Sequence, residues 1–151
     1  TVARKDEIEL NSLIEEVLAD LEPLAQEKEV KLVEESEELV MTGSDILIYR
    51  MIYNLVENAI KYNHAGGQVL VKAVQKDTNI VIEVEDTGNG ISEEFRERVF
   101  EPFFRVDKSR SRALGGVGLG LAMVREIVRV HDGKISIKEN EHGGTTFEVV
   151  L

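Results

Sequence analysis

Three short runs of this sequence gather side chains that can handle a metal ion, a phosphate or a purine. In NLVENAIKY, Asn54, Asn58 and Lys61 stand at i, i+4 and i+7, the spacing that stacks them on one helix face. At about 100° per residue, that face points away from Ile52, Leu55, Val56 and Ala59. Carboxamide oxygens ligate hard cations and an ammonium meets phosphate, so the stripe suits a metal–phosphate group. A solvated helix face would carry similar residues, but asparagine is a mediocre helix former, and two in mid-helix need a reason.

In EDTGNGI, Ile80, Ile82 and Val84 of the preceding strand share one face, and the same period of two carries Asp86 onto it. A carboxylate on the apolar side must find a donor or remain desolvated at a cost. The exocyclic amine of a purine is such a donor, and Gly88 and Gly90 would let the backbone approach a flat ring. A strand-ending turn uses the same residue types. In LGGVGLGLAMV, Gly115, Gly116, Gly118 and Gly120 run straight into an apolar helix, where free amides and the positive helix end make a phosphate seat. No Gly-Lys-Ser/Thr follows, so this is not a Walker loop, and the dinucleotide fingerprint fails too. A flexible linker is the alternative. Arg105, Lys108, Arg110 and Arg112 precede it, a cluster of cations that could hold a polyphosphate or lie in a solvated loop. Phe100, Phe103 and Phe104 flank that cluster as its expected hydrophobic anchor, and Thr145 and Thr146 could return a hydroxyl towards Asp86.

The elements that must position these groups follow from periodicity. Asn11 is the expected N-cap of a first helix carrying Leu13, Ile14, Val17, Leu18 and Leu21, kinked at Pro23 and ending near Lys28. Strands are expected over Val30 to Val33 and Leu39 to Thr42, then a second helix from Asp45 to about Lys61 with a broad buried stripe. Gln68 to Gln75 and Asn79 to Glu85 read as a hairpin turning near Asp77, and Glu93 to Val99 as a short helix. Arg105 to Gly118 has no periodicity and reads as a loop. Leu119 to His131 reads as a helix, and Lys134 to Lys138 and Thr146 to Leu151 as closing strands. Strands and helices alternate without a regular βαβ rhythm, which predicts an α+β, two-layer sandwich with helices on one face of a mixed sheet.

Composition sets the outer bounds. The 151 residues are 42% hydrophobic and 31% charged, as for one folded domain spanning 1–151. A net charge of −11 argues against nonspecific nucleic-acid binding. There is no cysteine, hence no disulfide and no thiolate metal site. No apolar run approaches the roughly 18 residues of a membrane helix. The three histidines, His64, His131 and His142, form no metal-ligand or triad pattern, and nothing suggests a serine or cysteine nucleophile.

The order of the motifs is more specific than any one of them. An asparagine helix, D-x-G-x-G, an aromatic stretch, G-x-G-L-G-L and G-T-x-F in succession resemble the N, F and glycine boxes of the catalytic domains of sensor histidine kinases, along nearly the whole chain. The resemblance implies the Bergerat sandwich shared with gyrase, Hsp90 and MutL-type ATPases, with about three helices on one face and an ATP lid over about 105–118. It implies ATP and Mg²⁺ as ligands, with Asn58 on the metal and Asn54 in support. Lys61 and Arg105 would approach the phosphates and Tyr62 would lie beside the nucleotide. Asp86 would accept from the adenine amine, with Gly88, Gly90 and Ile91 shaping its pocket. Gly116, Val117, Gly118, Leu119, Gly120 and Leu121 would form the phosphate cradle, and Thr146 would contribute from the last strand. Two positions depart from the family: Val117 stands where a hydroxyl residue is common, and Asp132 where a second glycine is frequent.

The function implied is transfer of the γ-phosphoryl group of Mg-ATP to a histidine on separate dimerisation helices, since no histidine here lies in an H-[DE]-x-x-x-P context. A response regulator is the expected downstream partner. The expected setting is cytoplasmic, within a membrane-anchored sensor, with no membrane contact from this segment and a monomeric isolated domain. Two alternatives stay open. A gyrase-type ATPase would place a glutamate base four residues before the metal-binding asparagine, where this chain has Asn54, while Glu57 points elsewhere. A noncatalytic nucleotide-binding module is the other, and a serine kinase of the anti-sigma type is a further relative.

Overall fold

The computed structural model describes residues 5–88, 90, 91, 93–96, 98–101 and 120–151. Strand β1 (Asp6–Glu9) leads directly into helix α1 (Leu10–Lys28). β2 (Lys31–Ser36), β3 (Val40–Gly43) and helix α2 (Asp45–Lys61) follow, then β4 (Gln68–Lys76) and β5 (Asn79–Asp86). Two single 3₁₀ turns, Glu93–Phe95 and Arg98–Phe100, replace the single short helix expected there. Helix α3 (Gly120–Val130), β6 (Lys134–Glu139) and β7 (Thr145–Val150) complete the chain. The expected loop from Arg105 to Gly118 and its lid role lie outside the described residues.

Five strands form one sheet in the order β2-β4-β5-β7-β6, and β1 pairs separately with β3. Only β2 and β4 run parallel within the larger sheet; its other neighbours are antiparallel. Alternation decides the two faces. Val69, Val71 and Ala73 of β4, Ile82 and Val84 of β5, and Phe147 and Val149 of β7 are buried in one core with Ile14, Val17 and Leu21 of α1. Ile52, Leu55, Val56, Ala59 and Ile60 of α2 and Val124, Ile127 and Val128 of α3 complete that core. The three helices therefore cover one face, as expected of an α+β sandwich. The opposite face carries charged cross-strand pairs, Lys72 with Glu85 at 3.3 Å and Lys138 with Glu148 at 2.9 Å.

The expected start of the first helix needs correction, while its expected end near Lys28 holds. Helix α1 begins before Asn11, because β1 feeds it without a turn; Glu9 occupies the cap position and makes no side-chain cap bond. Leu10 N–H, otherwise an orphan of the first turn, donates to the Leu39 carbonyl at 2.9 Å. Pro23 lies within an assigned helix that continues to Lys28; it sits on the exposed side, where water can serve the carbonyl it leaves unbonded. The helix stops at Glu29, which is left-handed at φ 57°, and Val30 N–H closes the end on the Ala25 carbonyl at 2.9 Å.

Helix α2 matches its expected span. Ser44 caps it by accepting from Leu47 N–H at 3.3 Å. The Ser44 N–H in turn donates to His131 Nε2 at 3.1 Å, while His131 Nδ1 lies 2.8 Å from the Ile127 carbonyl. That geometry fixes the proton on Nδ1 and bolts the end of α3 to the start of α2. Asp132 is left-handed at φ 59°, a conformation that glycine adopts freely and aspartate tolerates.

Candidate functional site

Asp86 is the end point of β5 and continues its buried face: it is 8% exposed. Its Oδ1 accepts from Gly88 N–H at 3.0 Å and Thr145 N–H at 3.2 Å. Oδ2 has no hydrogen-bond partner among the described residues. Burial pushes the carboxyl up from 3.8 to about 6, against the opposing pull of the Thr145 and Gly88 amides. One oxygen is thus committed to the protein and the other left as an acceptor.

The neighbouring hydroxyl is that of Thr145, not Thr146. Thr146 lies opposite Glu85 and Lys138, on the sheet face turned from the helices, with Oγ1 3.5 Å from Asn140 Nδ2. A shift of one residue on a strand exchanges its faces. Thr145 shares the face of Phe147, and its buried Oγ1 has no hydrogen-bond partner among the described residues. A hydroxyl left unsatisfied beside a half-satisfied carboxylate marks a place where a polar ligand or ordered water belongs.

Gly88 and Gly90 are required by the packing of the protein's own backbone. A Cβ on Gly88 would stand 2.6 Å from the Tyr62 carbonyl oxygen, and one on Gly90 2.9 Å from that of Gly143. The protein's own backbone fills both spaces. Around them runs a clamp the sequence did not disclose. Buried Asn63 donates to the Gln68 carbonyl at 3.0 Å and its Oδ1 accepts from Thr87 Oγ1 at 3.3 Å, while His64 Nε2 lies 2.9 Å from the Thr87 carbonyl. The end of α2 is thereby fixed against the segment after Asp86. Tyr62 itself ends α2, with its N–H on the Asn58 carbonyl at 3.1 Å.

Along α2, Asn54, Asn58 and Lys61 are all partly exposed, as the helical period requires. Asn54 Nδ2 donates to its own helix at the Arg50 carbonyl, 2.8 Å away, and its Oδ1 would lie 3.1 Å from a Cβ on Gly120. Asn54 thus meets the first residue of α3. The carboxamide of Asn58 makes no hydrogen bond to a described residue. Lys61 Nζ is 3.8 Å from Glu57 Oε1. Ile91 and Leu121 are partly buried and pack against the core. The structure so brings the Asp86 region to one end of the polar stripe of α2 and Gly120 to the other. Arg105, Gly116, Val117, Gly118 and Leu119 lie outside the described residues, as do Phe103 and Phe104. Phe100 is buried edge-on to Phe147, ring centres 6.3 Å apart, with the Arg125 guanidinium 5.8 Å above its ring.

A cleft of about 470 Å³ opens on the other face of the sheet. Its lining includes Glu35, Glu83, Glu85, Glu139 and Glu141 and also reaches Asp86, while its Lys72 and Lys138 are paired with Glu85 and Glu148. Such a wall repels a polyphosphate, so the candidate site is the helical side.

The helix-covered mixed sheet thus carries a buried carboxylate at one strand end with a polar helix stripe beside it. The model of the family described as histidine kinase-, DNA gyrase B- and HSP90-like ATPase matches residues 43–151, and the chain belongs to that family. The sensor-like histidine kinase SenX3 of Mycobacterium tuberculosis (strain ATCC 25618 / H37Rv) is 36% identical over 96% of this chain and 36% of its own length. The chain thus spans about a third of the curated relatives it matches. Among solved structures, the catalytic domain of histidine kinase ThkA matches with a TM-score of 0.85 at 28% identity, over 98% of this chain and 97% of that one. Full-length ShkA in complex with AMPPNP matches with a TM-score of 0.87 at 25% identity, over 100% of this chain and 31% of that one.

Proposed function

We propose that this domain binds Mg-ATP on its helical face and positions the γ-phosphoryl group for transfer to a histidine on a separate pair of dimerisation helices. The observation that carries the reading is Asp86: buried, with Oδ1 held by two backbone amides and Oδ2 left to accept, beside the unsatisfied hydroxyl of Thr145. An exocyclic amine at C6 of adenine supplies the missing donor. The AMPPNP complex of ShkA supports an adenine nucleotide as the ligand.

From that anchor the nucleotide lies along α2, with Tyr62 near its base. Asn54, Asn58 and Lys61 serve its phosphates, and the segment from Gly116 through Leu121, with Arg105 before it, closes the phosphate end. Asn58 fits Mg²⁺: its amide oxygen is uncommitted, and among the described residues no group of three His, Cys, Asp or Glu could hold an ion without help. A cation held by one amide oxygen, phosphates and water matches how Mg²⁺ is bound with nucleotides. When bound, the ion neutralises charge on the phosphates. The chain's own residues orient and screen: Lys61 meets phosphate oxygens, and backbone amides at the start of α3 add the positive helix end.

Hydrolysis by a gyrase-type mechanism lacks its base. Asn54 has no proton-accepting carboxylate, and Glu57 is engaged with Lys61 at 3.8 Å. Transfer to a protein side chain instead needs only alignment of acceptor and donor. The ThkA structure solved with the response regulator TrrA, matched at a TM-score of 0.82, supports a response regulator as the downstream partner. No helix among the described residues is long and apolar enough to cross a membrane. We place the domain in the cytoplasm, as part of a sensor whose signal-receiving portion is elsewhere.

The deciding experiment incubates the domain with γ-labelled ATP and a separately produced dimerisation helix pair. Acid-labile, base-stable label on the helices is the expected result. Label released as free phosphate, with none on the helices, would overturn the kinase reading in favour of the ATPase.

A further inference from the structure

One side chain outside every recognised motif ties the site together. Asn140 closes the β6–β7 turn: its Oδ1 accepts from His142 N–H at 3.0 Å and Gly144 N–H at 3.1 Å, and its own N–H donates to the Gly144 carbonyl at 3.1 Å. Those bonds alone describe an ordinary asparagine turn. The other end of the amide does something no turn requires. Nδ2 donates at 2.8 Å to the backbone carbonyl of Asp86, 54 positions earlier in the chain. Gly144 permits the approach, since a Cβ there would stand 2.0 Å from that carbonyl oxygen. One residue further on, Thr145 N–H reaches Asp86 Oδ1 at 3.2 Å. A single turn therefore grips Asp86 at both its backbone and its carboxylate.

We infer that Asn140 is a positioning residue that sets base selectivity: by anchoring the Asp86 backbone to the β6–β7 turn, it fixes which carboxylate oxygen the protein occupies and which is offered to the base. With the anchor in place, Gly88 and Thr145 amides converge on Oδ1, and Oδ2 presents only lone pairs. That surface accepts a purine with an amine at C6 and repels one with an oxygen there. Without the anchor the turn keeps its backbone hydrogen bonds, but only the β5–β7 ladder and the Thr145 amide then hold it against Asp86. The carboxylate can then rotate and take up water, and the C6 oxygen is no longer opposed by a fixed acceptor. The inference rests on the proposed adenine contact, and the experiment separates the two.

Mg-ATP and Mg-ITP are titrated calorimetrically into the wild-type chain, N140D and N140A. N140D retains an oxygen for the His142 and Gly144 amides but sets a second acceptor against the Asp86 carbonyl. The wild type is expected to prefer ATP by about tenfold or more, because a site built to receive a donor rejects the analogue that lacks it. In both variants ATP should weaken by about tenfold while ITP stays within about twofold, so that the preference collapses. General destabilisation would weaken both nucleotides alike and leave their ratio unchanged. A wild type without preference for ATP overturns the adenine contact itself. A wild-type preference that persists within about twofold in the variants overturns the role of Asn140. Should either variant fail to give a native circular dichroism spectrum, N140S carries the same readout, because its short hydroxyl cannot span to Asp86.

Discussion

Replacing Asp86 by asparagine should make the ligand-free domain more stable while removing its affinity for ATP. Burial pushes the carboxyl from 3.8 to about 6, so the folded chain holds this proton more tightly than the unfolded chain. Stability from this group is therefore greatest at acid pH and is lost as pH rises from about 4 to about 6. A difference of about 2 units, at about 1.4 kcal/mol each, sets a ceiling of about 3 kcal/mol on the cost of the ionised carboxylate at neutral pH. The carboxamide of D86N is neutral throughout. For a domain of this size each kcal/mol is worth about 2–4 °C, so D86N should melt several degrees above wild type at pH 8 and close to it at pH 4. The hydrogen bonds also fix how the new amide lies. Gly88 and Thr145 N–H both donate to the Oδ1 position, so the amide oxygen must take that place and the NH₂ must occupy that of Oδ2. The base then faces a donor instead of an acceptor: ATP binding is lost and Mg-ITP, with its C6 oxygen, binds better than Mg-ATP. Melting curves of both proteins at pH 4 and 8, with calorimetric titration of each nucleotide, test both halves. An equal melting difference at the two pH values would refute the energetic argument, and unchanged ATP affinity would refute the contact.

Other perturbations probe the rest of the site. Asn58→Ala should remove the tightening of ATP binding by Mg²⁺, measured with and without chelator; an undiminished magnesium effect would exclude the carboxamide as ligand. Gly144→Ala puts a Cβ 2.0 Å from the Asp86 carbonyl oxygen, so the turn must shift, and ATP affinity should drop about tenfold with a lower melting temperature. Retained affinity would show the close approach to be dispensable. ATP affinity of the wild type should decline below about pH 6 as Asp86 takes up its proton, with ITP, which bears the same phosphates, as the reference. The groups that shift Asp86 besides its burial are the neutral amides of Thr145 and Gly88, so added salt should not move that midpoint far.

Where one physical signal dominated, the sequence was enough. The seven buried apolar residues of α2 defined that helix within a residue, and period two put Asp86 on the buried face of β5. Strand β1 was not legible, because DEIE buries only Ile8 and owes its strand geometry to β3. Asn11 has the chemistry of a cap, but the preceding strand had already started the helix. The choice between Thr145 and Thr146 turned on a one-residue register that two adjacent threonines cannot reveal. Asn140 carries no local signal beyond that of any turn asparagine. Its second hydrogen bond depends on a contact across 54 positions, for which local sequence has no signal.

The grip of the β6–β7 turn on Asp86 also bears on how the domain matures and yields. Both bonds that complete the base pocket join segments 54 and 59 positions apart, so a large loop must close before either can form. The arrangement around Asp86 therefore exists only in chains whose β6–β7 hairpin has docked, and on the proposed adenine contact a bound nucleotide would fasten that hairpin to the rest of the sheet. Saturating ATP should slow amide exchange along β6 and β7, far from any phosphate, by the mass-action factor that favours the docked state. On the proposed adenine contact, the surroundings of Asp86 would act as a latch on the fold, and nucleotide supply would set how long the hairpin stays shut.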